Sequence, residues 1–155
     1  MVHLAGEREL TPEEAERAPD RISRHYAGDR LARVEIVRDG IIRVVRYLDR
    51  EWPDEQLLAE HRRRYGAFPF DVLSPTEPAS GGGRRRRAWT VGADGSLGEY
   101  SDMQLDDDGE ILAEDRFTPD GRRFLRMEYE YDADGELVLT RECDGEGNVL
   151  SEWES

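Results

Sequence analysis

The chain has 155 residues, a length that suits one domain rather than two full ones. It carries 36 acidic residues against 22 arginines and no lysine, for a net charge of -14. That charge excludes binding of bare nucleic acid or of an anionic membrane through bulk attraction, and it favours a basic partner. No apolar stretch approaches the ~20 residues of a membrane span, and the N-terminus lacks the apolar segment of a signal peptide. The single cysteine, Cys143, is typical of a reducing compartment, so we expect a cytoplasmic protein.

The N-terminal part predicts a short helix followed by a hairpin. Residues 11–14 form a capping box with proline at the first helical position, and the helix should end by Pro19. Residues 31–37 and 41–48 flank a turn that contains Gly40, which is typical of two antiparallel strands. Apolar residues fall on both faces of the second strand, so we expect it to be covered on both sides.

A second helix over 54–65 would supply that cover. Asp54 follows a proline at its start, and Gly66 ends it. The apolar stripe consists of Leu57, Leu58, His61 and Tyr65. His61 is interpreted as a partly buried core histidine rather than as a ligand.

The stretch 74–87 predicts a flexible loop, since it is rich in proline, glycine and serine. We interpret its four arginines, Arg84–Arg87, as solvated or leaning on the acidic sheet. The alternative is a phosphate or RNA clamp, but no aromatic residues are interleaved with the run. The organisation expected is one domain over 1–155. It comprises a hairpin-plus-helix subregion over 1–73, this loop, and an acidic β-meander over 88–155.

A repeat of turns dominates the C-terminal part, which also holds most of the acidity: residues 93–155 contain 20 acids and five arginines. Five glycines each follow an acidic residue, with an apolar residue two positions later except at Arg123. They are Gly95, Gly109, Gly121, Gly135 and Gly147. Spacings of 12 to 14 residues are typical of hairpins closed by a left-handed glycine. The fold class predicted is mainly β, a curved antiparallel meander with the helix over 54–65 and the short N-terminal helix.

Even spacing along the meander predicts one apolar face. That face would carry Leu97, Met103, Leu105, Ile111, Ala113, Phe117, Leu125, Met127, Tyr129, Tyr131, Leu137, Leu139, Cys143, Val149 and Trp153. Cys143 is then a small buried hydrophobe. The pattern leaves three covers for this face open: the N-terminal hairpin and helix, curling of the sheet, or a dimer.

Two segments resemble known repeats. Residues 129–137 resemble the YD repeat of the Rhs family, whose unit runs Tyr-Asp, two residues, Gly, one residue, Leu; the hairpins at Gly109 and Gly121 are looser copies. Residues 26–31 are similar to the tyrosine-rich, glycine-turn units of variant MORN-repeat antitoxins. The resemblance implies a small protein encoded beside a toxin, as an immunity protein or antitoxin without catalytic activity.

The residues predict no enzyme, cofactor or metal site. Without lysine there is no Walker lysine and no Schiff base. His3, His25 and His61 are not spaced with other ligands. Calcium is the chemical alternative, because residues 106–110 and 132–136 resemble fragments of calcium loops, although neither supplies the full EF-hand set.

Carboxylates gather where two turns of the meander share one end of the sheet. The residues predicted to bind a partner there are Asp106, Asp107, Asp108, Glu110, Asp132, Asp134 and Glu136, with Glu128 and Glu130 on the outer face. Tyr100, Leu112, Phe124 and Leu150 are the apolar candidates for anchoring it. We therefore expect a non-enzymatic module that neutralises a basic protein, specifically an immunity protein or antitoxin against a basic toxin. The alternatives are a scaffold module whose acidity only serves solubility, and a calcium-stabilised repeat protein.

Overall fold

The computed structural model describes residues 1–5 and 8–155. Within them the chain is mainly β, with thirteen strands and two helices, and the predicted meander is confirmed. The chain divides into two compact units. The first is Met1–Leu73 with Val91–Ser96, and the second is Ser74–Thr90 with Leu97–Ser155.

The first unit is a sheet with two helices. Its elements are β1 (Val2–Ala5), β2 (Arg8–Leu10), α1 (Pro12–Arg17), β3 (Arg21–Ala27), β4 (Arg30–Arg38), β5 (Ile41–Tyr47), α2 (Glu55–Tyr65) and β6 (Phe70–Leu73). The strand order is β6-β5-β4-β3-β1-β2. The pairs are antiparallel except β5 and β6, which are parallel because α2 connects them as a crossover.

Both predicted helices are present with the predicted caps. Thr11 and Glu14 form the capping box of α1. Asp54 caps α2 by accepting the Leu57 amide at 3.0 Å, and Gly66 ends it. Helix α2 covers β5 as predicted: Leu57 and His61 are buried, and His61 contacts Tyr47.

The second unit is a meander of strands paired in chain order. Its elements are β7 (Glu77–Pro78), β8 (Arg84–Val91), β9 (Leu97–Leu105), β10 (Ile111–Phe117), β11 (Arg123–Tyr131), β12 (Leu137–Asp144) and β13 (Val149–Glu154). The order runs β13-β12-β11-β10-β9-β8, and β7 pairs with β8.

The prediction of a loop over 74–87 is wrong where this segment forms β7 and the start of β8. Arg84–Arg87 form the first half of β8. Alternate arginines of a strand point to opposite faces and so reach different partners. Arg87 donates to Asp102 on β9 at 2.8 Å, and Arg86 donates to the Ser74 carbonyl at 2.8 Å. The reverse turn itself is confined to residues 79–83, where the Ala79 amide bonds to the Gly83 carbonyl.

The five repeated turns share one backbone geometry. In each turn, the carbonyl of the residue three before the glycine accepts a hydrogen bond from the glycine amide. The amide of that same residue donates to the carbonyl of the residue that follows the glycine. Gly109 and Gly135 have φ of 89° and 83°, in the left-handed region that favours glycine. The predicted hairpins are therefore confirmed.

The prediction of one apolar face is wrong because the hairpins carry bulges. After the turns at Gly109, Gly121, Gly135 and Gly147, the second strand holds one extra residue relative to its neighbour. One extra residue moves the following side chains to the opposite face. As a result Met127 pairs with Glu142, and Cys143 pairs with Arg126.

Few side chains of the second unit are therefore fully buried. Its buried side chains among the described residues are Ser74, Trp89, Leu105, Ala113, Thr140 and Cys143. Most residues of β11 are half-buried. Both faces of this part of the sheet mix apolar and charged groups, so charged side chains are held by their neighbours on the sheet.

Candidate functional site

Two acidic turns lie at the same end of the strands of the second unit. The Gly109 turn joins β9 to β10, and the Gly135 turn joins β11 to β12. Since the strands alternate in direction, successive turns fall at opposite ends and every second turn returns to the same end. Two strand spacings, about 10 Å, separate the two hairpins. The structure therefore brings together the two segments that the sequence predicted to share an end.

Asp106 and Asp132 hold their own turns. The Asp106 Oδ1 accepts the amides of Asp108 and Glu110, both at 2.9 Å. The Asp132 Oδ1 accepts the equivalent amides at 2.9 and 3.0 Å. Asp144 does the same in the Gly147 turn. These bonds fix the turns, so both aspartates have a structural role in addition to their charge.

Five carboxylates remain, and we call them the acidic end. They are Asp107, Asp108, Glu110, Asp134 and Glu136. All five are exposed, and no described basic side chain forms an ion pair with any of them. An unpaired cluster of this kind produces a negative potential that extends into solvent.

Glu128 and Glu130 differ from the acidic end because they lie in a row of ion pairs. Glu128 accepts from Arg126 at 2.9 Å and from Arg141 at 3.1 Å. The two guanidinium groups, Arg126 first, hold the pKa of Glu128 below its usual range. Glu130 is 3.8 Å from Arg141. The charge of Glu128 is therefore largely compensated, and it contributes less to an external field than the sequence predicts, whereas Glu130 is 58% exposed and has only this one distant arginine.

The ion pairs continue across the strands on either side. Arg141 on β12 donates to Glu152 on β13 at 2.8 Å. Arg126 on β11 donates to Asp115 on β10 at 2.8 Å. These five residues, Asp115, Arg126, Glu128, Arg141 and Glu152, are called the ion-pair row. The sequence analysis missed the roles of its arginines, because their partners depend on a register that the bulges shift.

Exposed apolar side chains accompany the acidic end. Leu112 and Val138 follow the two turns at the bulges, and they are 41% and 38% exposed. The sequence analysis named Leu112 as an anchor but not Val138. The common signal is an apolar residue three positions after the turn glycine, which also occurs at Phe124 and Leu150.

A second group of titratable side chains lies in the first unit, around Glu35 on β4. Glu35 accepts from the Tyr65 hydroxyl on α2, and it lies 3.2 Å from His25 and 3.5 Å from Arg33. Arg33 donates to the His25 Nδ1 at 2.8 Å, which leaves the Nε2 proton facing Glu35. Burial, followed by the charge of Arg33, lowers the pKa of His25. The cluster joins α2 to β3 and β4.

His61 belongs to a neighbouring buried network. Its Nδ1 lies 2.9 Å from the Tyr47 hydroxyl, and its Nε2 lies 2.7 Å from the Phe68 carbonyl. Nε2 therefore donates to the carbonyl, and Nδ1 accepts from the tyrosine. Burial lowers the pKa of His61 and raises that of Tyr47 to about 12. The interpretation of His61 as a core residue is confirmed.

Neither group is arranged as a metal centre. Among the residues that the structure describes, no group of three or more His, Cys, Asp or Glu side chains is placed to hold a metal ion. Across the same residues, neither helix has the length and apolar character needed to cross a bilayer.

Comparison with known proteins returns no relative. No protein-family model, curated protein or solved structure matches this chain.

Proposed function

We propose that the chain is a non-enzymatic binding protein that captures a basic protein partner through its acidic end. The observation that carries the proposal is the separation of its carboxylates into two sets. Those of the ion-pair row are compensated by arginines, while those of the acidic end have no such partner. A protein that needed acidity only for solubility would have no reason to gather unpaired charge at one edge.

Charge alone gives capture but little affinity, so buried anchors are also required. Leu112 and Val138 supply apolar surface beside the acidic turns. A partner that matches this end would present cationic side chains around an apolar patch. A toxin with a phosphate-binding site has that character, and this supports an immunity protein or antitoxin, acting in the cytoplasm, as the specific form of the proposal.

The experiment is coexpression with the product of the adjacent gene. The test variant is Asp107→Asn with Asp108→Asn and Asp134→Asn, which removes three charges and keeps both turn-capping aspartates. The matched control is Glu9→Gln with Glu16→Gln and Glu51→Gln, which removes three exposed charges from the first unit.

We expect the wild-type chain and the control to copurify with that product and to suppress any toxicity it shows. The test variant should do both less well, and its difference from the wild-type chain should shrink as salt increases, because salt screens the attraction that the variant lacks. If the product is toxic and the wild-type chain neither binds it nor protects the cell, the proposal is wrong. If the wild-type chain binds the product but the test variant and the control behave alike, the acidic end is not the binding surface.

A further inference from the structure

Strand β13, the outermost strand of the second unit, presents an open edge. It pairs with β12 on one side, and no described strand lies on the other. All six of its residues are exposed, including Val149 at 57%, Leu150 at 58% and Trp153 at 44%. An edge strand with exposed apolar side chains is a template for another strand, unless something blocks it.

The side chains of β13 continue two rows that cross the sheet. On one face, Glu128, Arg141 and Glu152 occupy neighbouring strands, so the sign of the charge alternates and the row stops at a carboxylate. On the other face, Tyr129, Thr140 and Trp153 form the adjacent row, which stops at an aromatic ring. Cross-strand pairs stabilise sheets when opposite charges or apolar groups face each other.

We propose that β13 binds an extended segment of a basic partner by β-strand addition, with cationic side chains beside Glu152 and Glu154 and an apolar side chain beside Trp153. The backbone of the segment would satisfy the free amides and carbonyls of the edge. Its alternating cationic and apolar side chains would extend both rows by one strand. The inference rests on the proposed function in one respect, namely that the partner is basic.

Charge also argues against a second copy of this chain as the occupant. Two β13 strands side by side would bring together Glu152 and Glu154 from both copies, and like charges across strands are destabilising. Residues 97–155 hold 19 acids and five arginines, so this part of one copy repels the same part of a second copy. The glutamates therefore favour a cationic segment over self-association.

The open edge is continuous with the acidic end. Strand β12 begins directly after the Gly135 turn, and β13 runs back toward it, so that the Ser155 amide donates to the Val138 carbonyl at 3.1 Å. Glu154 thus lies at the end of the sheet that holds Asp134 and Glu136. One partner can contact the acidic end and then run along β13.

The test uses synthetic octapeptides and the full chain labelled for amide hydrogen exchange. The probe alternates arginine and isoleucine. One control peptide has the same composition with four arginines followed by four isoleucines. A second control is the alternating peptide with every second amide N-methylated, which removes backbone donors and keeps the charge.

We expect the alternating peptide to protect amides in 149–154 and to bind at least about tenfold more tightly than either control peptide. Glu152→Gln with Trp153→Ala should weaken that binding by a similar factor. These side chains are exposed, so the fold should survive, and far-ultraviolet circular dichroism checks this. The triple variant of the acidic end should keep the protection of 149–154.

Three results would overturn the inference. The first is equal binding of all three peptides, which means charge attraction without strand pairing. The second is perturbation confined to 106–110 and 132–136. The third is protection of 149–154 that rises with protein concentration in the absence of peptide, which makes a second copy the occupant. Failure of the adjacent gene product to bind would remove the proposed function but would not alter the peptide result.

Discussion

At the scale of single residues, the repeated turns depend on one side chain each. The Asp132 Oδ1 accepts two backbone amides that would otherwise face solvent across a tight turn. Thr118 takes this place in the Gly121 turn, where its hydroxyl accepts the Arg122 amide at 3.2 Å. Asp134, just before Gly135, has no comparable bond through its side chain, although in the Gly95 turn the equivalent Asp94 accepts the Ser96 amide at 3.0 Å. The two acids of one turn therefore differ in what they contribute to stability.

Replacing Asp132 should destabilise the protein more than replacing Asp134. For Asp132→Ala we expect a loss of about 1 kcal/mol, the usual cost of losing a side-chain cap. Asp132→Asn should lose less, since its amide oxygen can still accept both bonds. Urea unfolding monitored by fluorescence gives the comparison. Equal losses for Asp132→Ala and Asp134→Ala would show that the capping bonds contribute nothing.

Histidine protonation should make the first unit sensitive to mild acid. Burial and the Arg33 charge lower the pKa of His25 from its ordinary 6.5, so the fold favours the neutral ring. Its contribution is fully present above the unfolded pKa and is lost as pH falls through about 6.5 toward the lower folded value.

We expect the free energy of unfolding to fall between about pH 7 and about pH 5.5, where most carboxylates are still ionised. His25→Gln keeps an acceptor for Arg33 and removes the titration, so its stability should vary less over that range. Urea unfolding across the pH series measures this. His61 is also held neutral, so a residual slope should remain in the variant. A slope identical to that of the wild-type chain would contradict the role given to His25.

At the scale of elements, the hairpins contain glycines with two different functions. Gly135 has φ of 83°, and a Cβ there would meet nothing within 4 Å. Gly145 is not in the left-handed region, but a Cβ there would collide with the carbonyl oxygen of Arg123 on β11. The first glycine serves the turn, and the second allows a close approach of two backbone segments.

Gly145→Ala should therefore be the more harmful substitution. We expect about 2–3 kcal/mol for it, because backbone must move, and about 1 kcal/mol for Gly135→Ala, where only the left-handed conformation is disfavoured. Gly135→Asn should cost less than Gly135→Ala. Thermal and urea unfolding of the three variants give the order. If Gly145→Ala were the milder change, the close packing of the Gly147 turn against β11 would be wrong.

The sequence predicts what local chemistry determines and misses what pairing determines. Four of the five turns follow from an aspartate or threonine three residues before a glycine, and α2 follows from Asp54 and Gly66. The bulges do not, because an extra residue such as Leu112 shows only in the register of β10 with β9. The sequence predicts a loop at Arg84–Arg87 because three glycines precede them, while Asp102, the partner of Arg87, lies 15 residues further along the chain.

The same limit applies to the candidate site. The shared end of the Gly109 and Gly135 turns follows from counting strands, so it was predictable. Whether a carboxylate there is paired depends on the register, which separates Glu128 from Asp134. The parallel pairing of β5 with β6 was also missed, because nothing local to residues 70–73 indicates its direction.

At the scale of the whole molecule, calcium provides a separate test. One carboxylate oxygen of Asp106 and one of Asp132 already accept backbone amides, which leaves fewer oxygens in each turn to bind calcium. We therefore expect melting curves in calcium and in chelator to coincide within about one degree, since a ligand stabilises only what it binds. A rise of several degrees in calcium would favour the calcium-stabilised alternative. Magnesium at equal ionic strength controls for screening.

The rate at which a basic partner associates shows whether the acidic end captures it. The association rate constant for the adjacent gene product would be measured by stopped flow over a range of salt, for the wild-type chain, the triple variant of the acidic end and the matched triple variant of the first unit. We predict that the acidic-end variant slows association by about tenfold at low salt and flattens its salt dependence, with little change in dissociation. Equal rates for the two triple variants at every salt concentration would contradict the account.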